Sequence, residues 1–386
     1  MRSIVRLLVS PALAAALVTA CGGGVTPTET PTASATATLV PTATPAPTLL
    51  PTATPTARPT PAPIAYGAAT VVSGTESCTF EKEGTTTTAP DGTGQYRGAI
   101  LSCTDTSNDP RVSGSVTYTW EYDGWGQGAT VQWGTGRLEN AGGAWDGTMT
   151  GSYSMPRGDI LLFWFEGSGG YEGLSYAMWA VLPPAKVAWT YPVDGIIFPG
   201  SPPAPKPGDD AALRQAAAGS STPAPTPTVA PGAATPEPTP EPYDFGPATI
   251  VAGTEACDVK EGTETVTEDG TRQNRGWILT CVDTNNDPRV TGTATYSWNY
   301  DMWGSGMEFA HVQWGSGRLE NAGGAWEGTL TGSFSTANGD VILFWFEGTG
   351  GYEGLSYGMW AVLPTAEAGW TYPVKGLIFP GSPPAP

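Results

Sequence analysis

From residue 112 to residue 122 the chain alternates. Val112, Gly114, Val116, Tyr118, Trp120 and Tyr122 fall on one side; Ser113, Ser115, Thr117, Thr119 and Glu121 fall on the other. A period of two, rich in β-branched and aromatic residues, predicts a half-buried strand. The division returns further on, with Val290, Tyr296, Trp298 and Tyr300 set against Thr291, Thr293, Thr295, Ser297 and Asn299. Trp145, Gly147, Met149, Gly151 and Tyr153 alternate in the same way. The run ILLFWF at 160–165 is apolar on both sides. It predicts a strand covered on both faces, or a surface that pairs modules or subunits. Gly, Asn and Asp punctuate at short intervals, as at Asn140, Gly158 and Gly169, which are hairpin signals. No stretch shows a helical amphipathic period. The expectation is an all-β chain whose modules each hold about eight short antiparallel strands, as in a barrel or sandwich.

The pattern occurs twice because the sequence does. RLENAGGAW at 137–145 recurs unchanged at 318–326, FWFEG at 163–167 recurs at 344–348, and IFPGSPPAP closes both units. The offset is 178 residues near Cys103 and Cys281 and 181 after Trp133 and Trp314, so the second unit carries three extra residues near 306–310. Each unit is large enough to bury its own core. Before and between them the composition collapses to Pro, Thr and Ala, which forms no core and extends at ~3.1 Å per residue. The expected organisation is a signal peptide at 1–20, a disordered Pro/Thr-rich stalk at 21–63, module 1 at 64–201, a Pro/Ala-rich linker at 202–243 and module 2 at 244–386.

Two resemblances add to this. GSGGYEGLSY at 167–176 and the Gly-spaced WGTGRLENAGGAWDGTMTG at 133–151 resemble the turn and hairpin of the allene oxide cyclase and dirigent barrels. That resemblance implies two tandem eight-stranded antiparallel barrels, each with a central cavity. It implies no cyclase activity, and no functional residue of that family is placed on this chain. At the N-terminus, Arg2 and Arg6 precede a short apolar run and then Val18-Thr-Ala-Cys21. This reads as a secretory signal peptide, and its end resembles the lipobox of bacterial lipoproteins, which implies lipidation of Cys21 and a membrane anchor.

The other cysteines, Cys78, Cys103, Cys257 and Cys281, fall as one pair per module. An even count in an exported chain predicts disulfides, and the duplication favours Cys78–Cys103 and Cys257–Cys281 among three connectivities. Two thiols with no nearby His make a poor zinc site.

The formal net charge is −19. Residues 66–204 hold 6 basic against 14 acidic residues and residues 243–386 hold 6 against 17, so the modules carry the acidity. That sign argues against nucleic acid as a partner, since phosphate contacts need Lys and Arg. His311 is the one histidine in the chain, with Thr130 at the equivalent place in module 1, which excludes a repeated Ser-His-Asp arrangement. No cofactor motif appears and none is expected.

Acidic pairs are the remaining catalytic candidates: Glu166 and Glu172, copied as Glu347 and Glu353, and Glu139 and Asp146, copied as Glu320 and Glu327. Two carboxylates at a suitable separation cleave glycosidic bonds; beside Gly-rich turns they also read as solvated hairpin ends, and Arg137 stands near enough to pair with Glu139. Asp105 and Asp109, with their copies Asp283 and Asp287, suit a calcium loop or a plain turn. Trp125, Trp133 and Trp145, copied as Trp303, Trp314 and Trp326, are candidates for an aromatic ligand wall, although large aromatics also fill β cores. Trp125 and Trp303, in Gly-rich stretches just past a strand, are expected to be exposed.

The sequence therefore reads as an extracytoplasmic, lipid-anchored protein whose two barrels bind a small apolar molecule, a glycan or a surface partner. Duplication on a linker would add avidity. An enzyme, either a barrel isomerase or a carboxylate hydrolase, and a structural envelope component are the alternatives. The sequence leaves the oligomeric state open.

Overall fold

The structure, a computed structural model, describes residues 62–126, 128–154, 158–182, 189–204, 243–244, 247–260, 262–363 and 370–384. The signal peptide, Cys21, nearly all of the stalk and most of the linker lie outside the described residues. All strands belong to one compact unit, Thr60–Pro386.

The first repeat holds β1 (Ile64–Tyr66), β2 (Ala69–Lys82), β3 (Thr85–Thr88), β4 (Gly94–Ser107), β5 (Gly114–Trp125), β6 (Ala129–Asn140), β7 (Gly143–Ser154), β8 (Gly158–Gly169), β9 (Leu174–Leu182) and β10 (Thr190–Pro199). The second repeats the series as β11 (Tyr243–Asp244), β12 (Thr249–Lys260), β13 (Thr263–Val266), β14 (Arg272–Asn285), β15 (Gly292–Ser305), β16 (Glu308–Asn321), β17 (Gly324–Ser335), β18 (Gly339–Gly350), β19 (Leu355–Leu363) and β20 (Thr371–Pro380). Strands β2, β10, β9, β8, β7, β6, β5 and β4 pair antiparallel in that order, and β4 pairs back on β2. The result is a closed eight-stranded barrel, and β12 and β14 close the second in the same way. Closure leaves no sheet edge among the eight. The short strands β1 and β3 flank it.

Alternation sorts the side chains as the sequence predicts. On β5, Val116 and Tyr118 point inward, while Ser115, Thr117 and Thr119 point out. Inside barrel 1, contacting rings run up from one end. Tyr171 stacks on Trp145 at 4.9 Å, and the chain of contacts continues through Tyr176, Phe165 and Phe163 to Tyr118. The central cavity implied by the barrel resemblance is thus occupied by side chains along this line. Two close approaches make room for the rings. A Cβ at Gly136 would sit 2.5 Å from Tyr118 Cε1, and one at Gly195 would sit 2.5 Å from Tyr176 Cε2.

One end of each barrel is plugged. A 3-10 turn, Pro110–Val112, crosses it with Asp109 as its N-cap. Asn140 donates from Nδ2 to the carbonyls of Arg111 (2.9 Å) and Ser113 (3.1 Å), and Trp145 Nε1 donates to Arg111 O at 2.8 Å. Tyr171 OH donates to Asn140 Oδ1 at 2.5 Å. The second barrel repeats these bonds through Asn321, Trp326 and Tyr352. Asn140 and Trp145 of the RLENAGGAW segment, and Asn321 and Trp326 of its copy, thus build the plugs. The opposite end, where β2, β5, β7 and β9 finish, is the rim.

Strand β8 is covered on both faces, as its apolar run predicts. Leu161, Phe163 and Phe165 face the barrel interior; Ile160, Leu162 and Trp164 face the other barrel. Trp125, at the rim of barrel 1, meets Phe379, near the plugged end of barrel 2, at 5.2 Å between centroids. Conversely, Trp303 meets Phe198 at 5.5 Å. Tyr66 OH and Thr336 Oγ1 (2.8 Å) and the bond from Asn338 Nδ2 to Val72 O (3.3 Å) also join a plugged end to a rim. The barrels pack side by side with axes reversed, through a self-complementary surface of the kind seen in twofold dimers. The two rims consequently face opposite ways.

Both disulfides form, Cys78–Cys103 and Cys257–Cys281, each between residues directly opposite across β2–β4 or β12–β14. Such bonds point to an oxidising, extracytoplasmic environment. Closing a loop of 25 residues stabilises by about 3 kcal/mol. Replacing Cys78 and Cys103 by Ser is expected to lower the melting temperature correspondingly; unchanged melting would show the clamp to be redundant. Among the described residues no helix is long and apolar enough to cross a membrane.

Candidate functional site

Inside each barrel, next to the disulfide, lies a pair of carboxyl groups. Glu76 on β2 and Asp105 on β4 are directly opposite one another, one pleat from the Cys78–Cys103 pair. They are 0% and 4% exposed, and their copies Glu255 and Asp283 are 0% and 1%. Among the described residues no ion pair reaches them. Tyr118 OH donates to Glu76 Oε2 at 2.7 Å and Tyr191 OH donates to Oε1. Asp105 shares a hydrogen bond with Glu76, whereas both oxygens of Asp283 lack a hydrogen-bond partner. Burial pushes Glu76 up, and the hydroxyls of Tyr191 and Tyr118 oppose that rise. Burial also pushes Asp105 up, and the charge of Glu76 adds to it. Glu76, with two phenols donating to it, is therefore the member that ionises, and Asp105 keeps the shared proton. Tyr372 holds Glu255 in the same manner.

Nearer the rim a second polar chain is built from three elements. Trp120 Nε1 on β5 donates to Gln132 Oε1 on β6 (2.9 Å), and Gln132 Nε2 donates to Asp159 Oδ1 on β8 (2.8 Å). Trp298, Gln313 and Asp340 repeat it at 2.9 and 2.8 Å. Asp159 and Asp340 are each half-buried but crowded by protein, and that burial lifts each to about 7. Phe80, Trp120 and Trp189 cluster above, with Phe80–Trp189 at 5.0 Å and Trp120–Trp189 at 6.1 Å. In barrel 2, Trp298 meets both Trp277 and Trp370 at 5.8 Å, and Val259 stands at the position of Phe80. His311 is wedged there against Phe334 (5.1 Å) and Tyr300 (5.4 Å); burial drops it to about 3, so it is a neutral ring.

Of the six exposed large apolar side chains among the described residues, five lie at rim ends; the sixth, Ile64, is on β1. Trp370 is 46% exposed, and Val266 and Met307 more so. They come from the segments that join or extend strands at the rim of barrel 2. Val181 and Val362, at the rim ends of β9 and β19, are exposed as well.

The residues singled out in the sequence are placed elsewhere. Trp125 and Trp303, expected to be exposed, are buried between the barrels, with Nε1 donating to Thr93 and Thr271. The cause is the partner barrel, whose Phe379 and Phe198 cover them. Trp133 and Trp314 lie on the outer surface under the guanidinium groups of Arg97 and Arg275, each 4.7 Å from the ring. Trp145 and Trp326 belong to the plugs. Glu166, Glu172, Glu347 and Glu353 are exposed at the plugged ends. Glu139 and Asp146 both pair with Arg137, as Glu320 and Glu327 do with Arg318. Asp105 and Asp109 do not converge on one ion site. Asp105 faces Glu76 inside the barrel, while Asp109 is bound to Arg111 at 2.7 Å; Asp283 and Asp287 repeat this, with Arg289.

The buried pair has a readable signature: Glu-x-Cys at 76–78 and 255–257, and Cys-x-Asp at 103–105 and 281–283. Spacing of two puts each acid on the face of its cysteine, inside the barrel. Compared with known proteins, the chain matches no family model, no curated protein and no solved structure.

Proposed function

We propose that this chain is an extracytoplasmic binding protein, anchored through a lipid on Cys21, in which the barrels are solid bodies and a glycan docks on the aromatic rim of each. The supporting observation is the concentration of exposed apolar side chains at the rims, led by Trp370 over the Trp298–Gln313–Asp340 chain. Indole faces with a few amide and carboxyl groups suit sugar rings. The acidic modules disfavour anionic lipid surfaces. The full chain is to be titrated with a panel of soluble cell-wall polysaccharides and, separately, with neutral phospholipid vesicles. Polysaccharide binding weakened at least tenfold by Trp370→Ala, with unchanged melting, supports the reading. Vesicle binding alone, or binding indifferent to Trp370→Ala and Trp189→Ala, overturns it.

One observation favours a second reading, an extracytoplasmic enzyme. Asp159 and Asp340, lifted to about 7, are poised for proton transfer near neutral pH. Turnover of any panel member that is abolished by Asp340→Asn would select that reading.

A further inference from the structure

We propose that Glu76, Cys78, Cys103 and Asp105, with their copies Glu255, Cys257, Cys281 and Asp283, form a site for one thiophilic divalent cation per barrel, closed while the disulfide stands and opened by its reduction. The site does not depend on the rim or on its ligand. Its four side chains form a square on two adjacent strands. Cys78 lies opposite Cys103 and Glu76 opposite Asp105, all on the inner face. The ligand atoms of Glu76, Cys78 and Cys103 lie within 4.8 Å of one another, and so do those of Glu255, Cys257 and Cys281. A tetrahedral zinc ion holds thiolates at ~2.3 Å and carboxylates at ~2.0–2.2 Å, so it needs its ligand atoms gathered about this closely. The second, independent observation is Asp283. It is buried opposite Glu255 on the inner face, and neither of its oxygens has a partner, nor has Glu255 Oε1; its copy Asp105 is buried against Glu76 and shares a hydrogen bond with it. The Tyr118 and Tyr191 hydroxyls that hold Glu76 supply the outer hydrogen bonds such a site requires. Two sulfurs and the glutamate oxygen, with the aspartate beside them, favour zinc or cadmium over magnesium or calcium.

The chemistry balances. A dithiol reductant attacks the disulfide, is itself oxidised to a cyclic disulfide, and leaves two protein thiols. The cation then replaces the two thiol protons, which leave to solvent, and Glu76 supplies a carboxylate oxygen. If Asp105 keeps its proton and binds through its carbonyl oxygen, the site has the same net charge as the disulfide form. The strands β2 and β4 are then clamped by a metal in place of a covalent bond.

The test uses the full chain. It is reduced anaerobically with a dithiol, freed of reductant by gel filtration, and titrated with Cd2+ and Zn2+. Thiolate-to-cadmium ultraviolet absorption and native mass spectrometry are followed. Two ions per reduced chain and none per oxidised chain are expected, with Zn2+ raising the melting temperature of the reduced form. Glu76→Gln with Glu255→Gln is expected to weaken binding at least tenfold. A reduced chain that keeps its strand circular dichroism but takes no ion overturns the proposal. So does one that binds cadmium equally well with and without Glu76 and Glu255. If the reduced, metal-free chain unfolds, refolding on addition of Zn2+ supports the site, and failure to refold contradicts it.

Discussion

Replacing Asp105 and Asp283 by Asn is expected to raise the melting temperature of the oxidised chain at pH 8 by on the order of 10 °C. In the folded chain burial and the neighbouring glutamate push each aspartate above its ordinary range. Below the unfolded value, about 3.9, both states are protonated and the pair is harmless. As pH rises past that value the unfolded chain releases its protons and the folded chain keeps them, so stability falls. The fall continues until the folded group ionises. Asp159 and Asp340, lifted to about 7, add to the decline between pH about 4 and 7 and add nothing further above it. Asparagine keeps the shape, carries no titrating proton and can donate to Glu76 or Glu255. Each substitution should therefore recover about 3 kcal/mol at pH 8 and much less at pH 4. Differential scanning calorimetry at the two pH values checks this. Equal destabilisation at both would mean that the carboxyls act through shape and packing and not through charge.

Phe198→Ala and Phe379→Ala are each expected to destabilise the chain by about 3–5 kcal/mol, the usual range for removing a buried ring. The two losses should be nearly equal, because each ring meets the same partner, Trp303 or Trp125, across a self-complementary surface. Combining Trp125→Ala with Phe379→Ala should leave about 1 kcal/mol of coupling in a double-mutant cycle. The stronger perturbation is Leu162→Asp with Leu343→Asp, which places charge at the centre of the shared core. The wild-type chain should melt in one transition and this variant in two, since each barrel retains its own interior. Unchanged melting of all these variants would show that the barrels are coupled only by the linker.

The placement of the tryptophans shows where local pattern stops being informative. Trp120 shares its face with Val116 and Tyr118, so parity alone puts it inside; its place near the end of β5 then puts it at the rim. Trp125 comes in a Gly-rich stretch just past the alternating run, where nothing local indicates a cover. Its cover is Phe379, 254 positions away. The acidic pairs show the same limit. Glu166 and Asp105 are both carboxylic side chains near turns in the sequence, yet one is solvated and the other sealed. The difference is visible only in the Cys-x-Asp spacing, which ties Asp105 to an inward-facing cysteine.

The sequence by itself determined the duplication, the inward and outward faces of the strands, the Cys pairing within each repeat and the two-sided burial of β8. These follow from period and spacing, which act over a few residues or over one repeat. Only the tertiary structure decided that β4 returns to β2, so that Glu76 meets Asp105. It also decided that the plugs consume Trp145, Asn140 and Tyr171, and that the barrels pair with rims reversed. Strand closure and barrel packing are settled by contacts between residues far apart in the chain. Such contacts depend on the register and twist of the whole sheet, and no local pattern carries them.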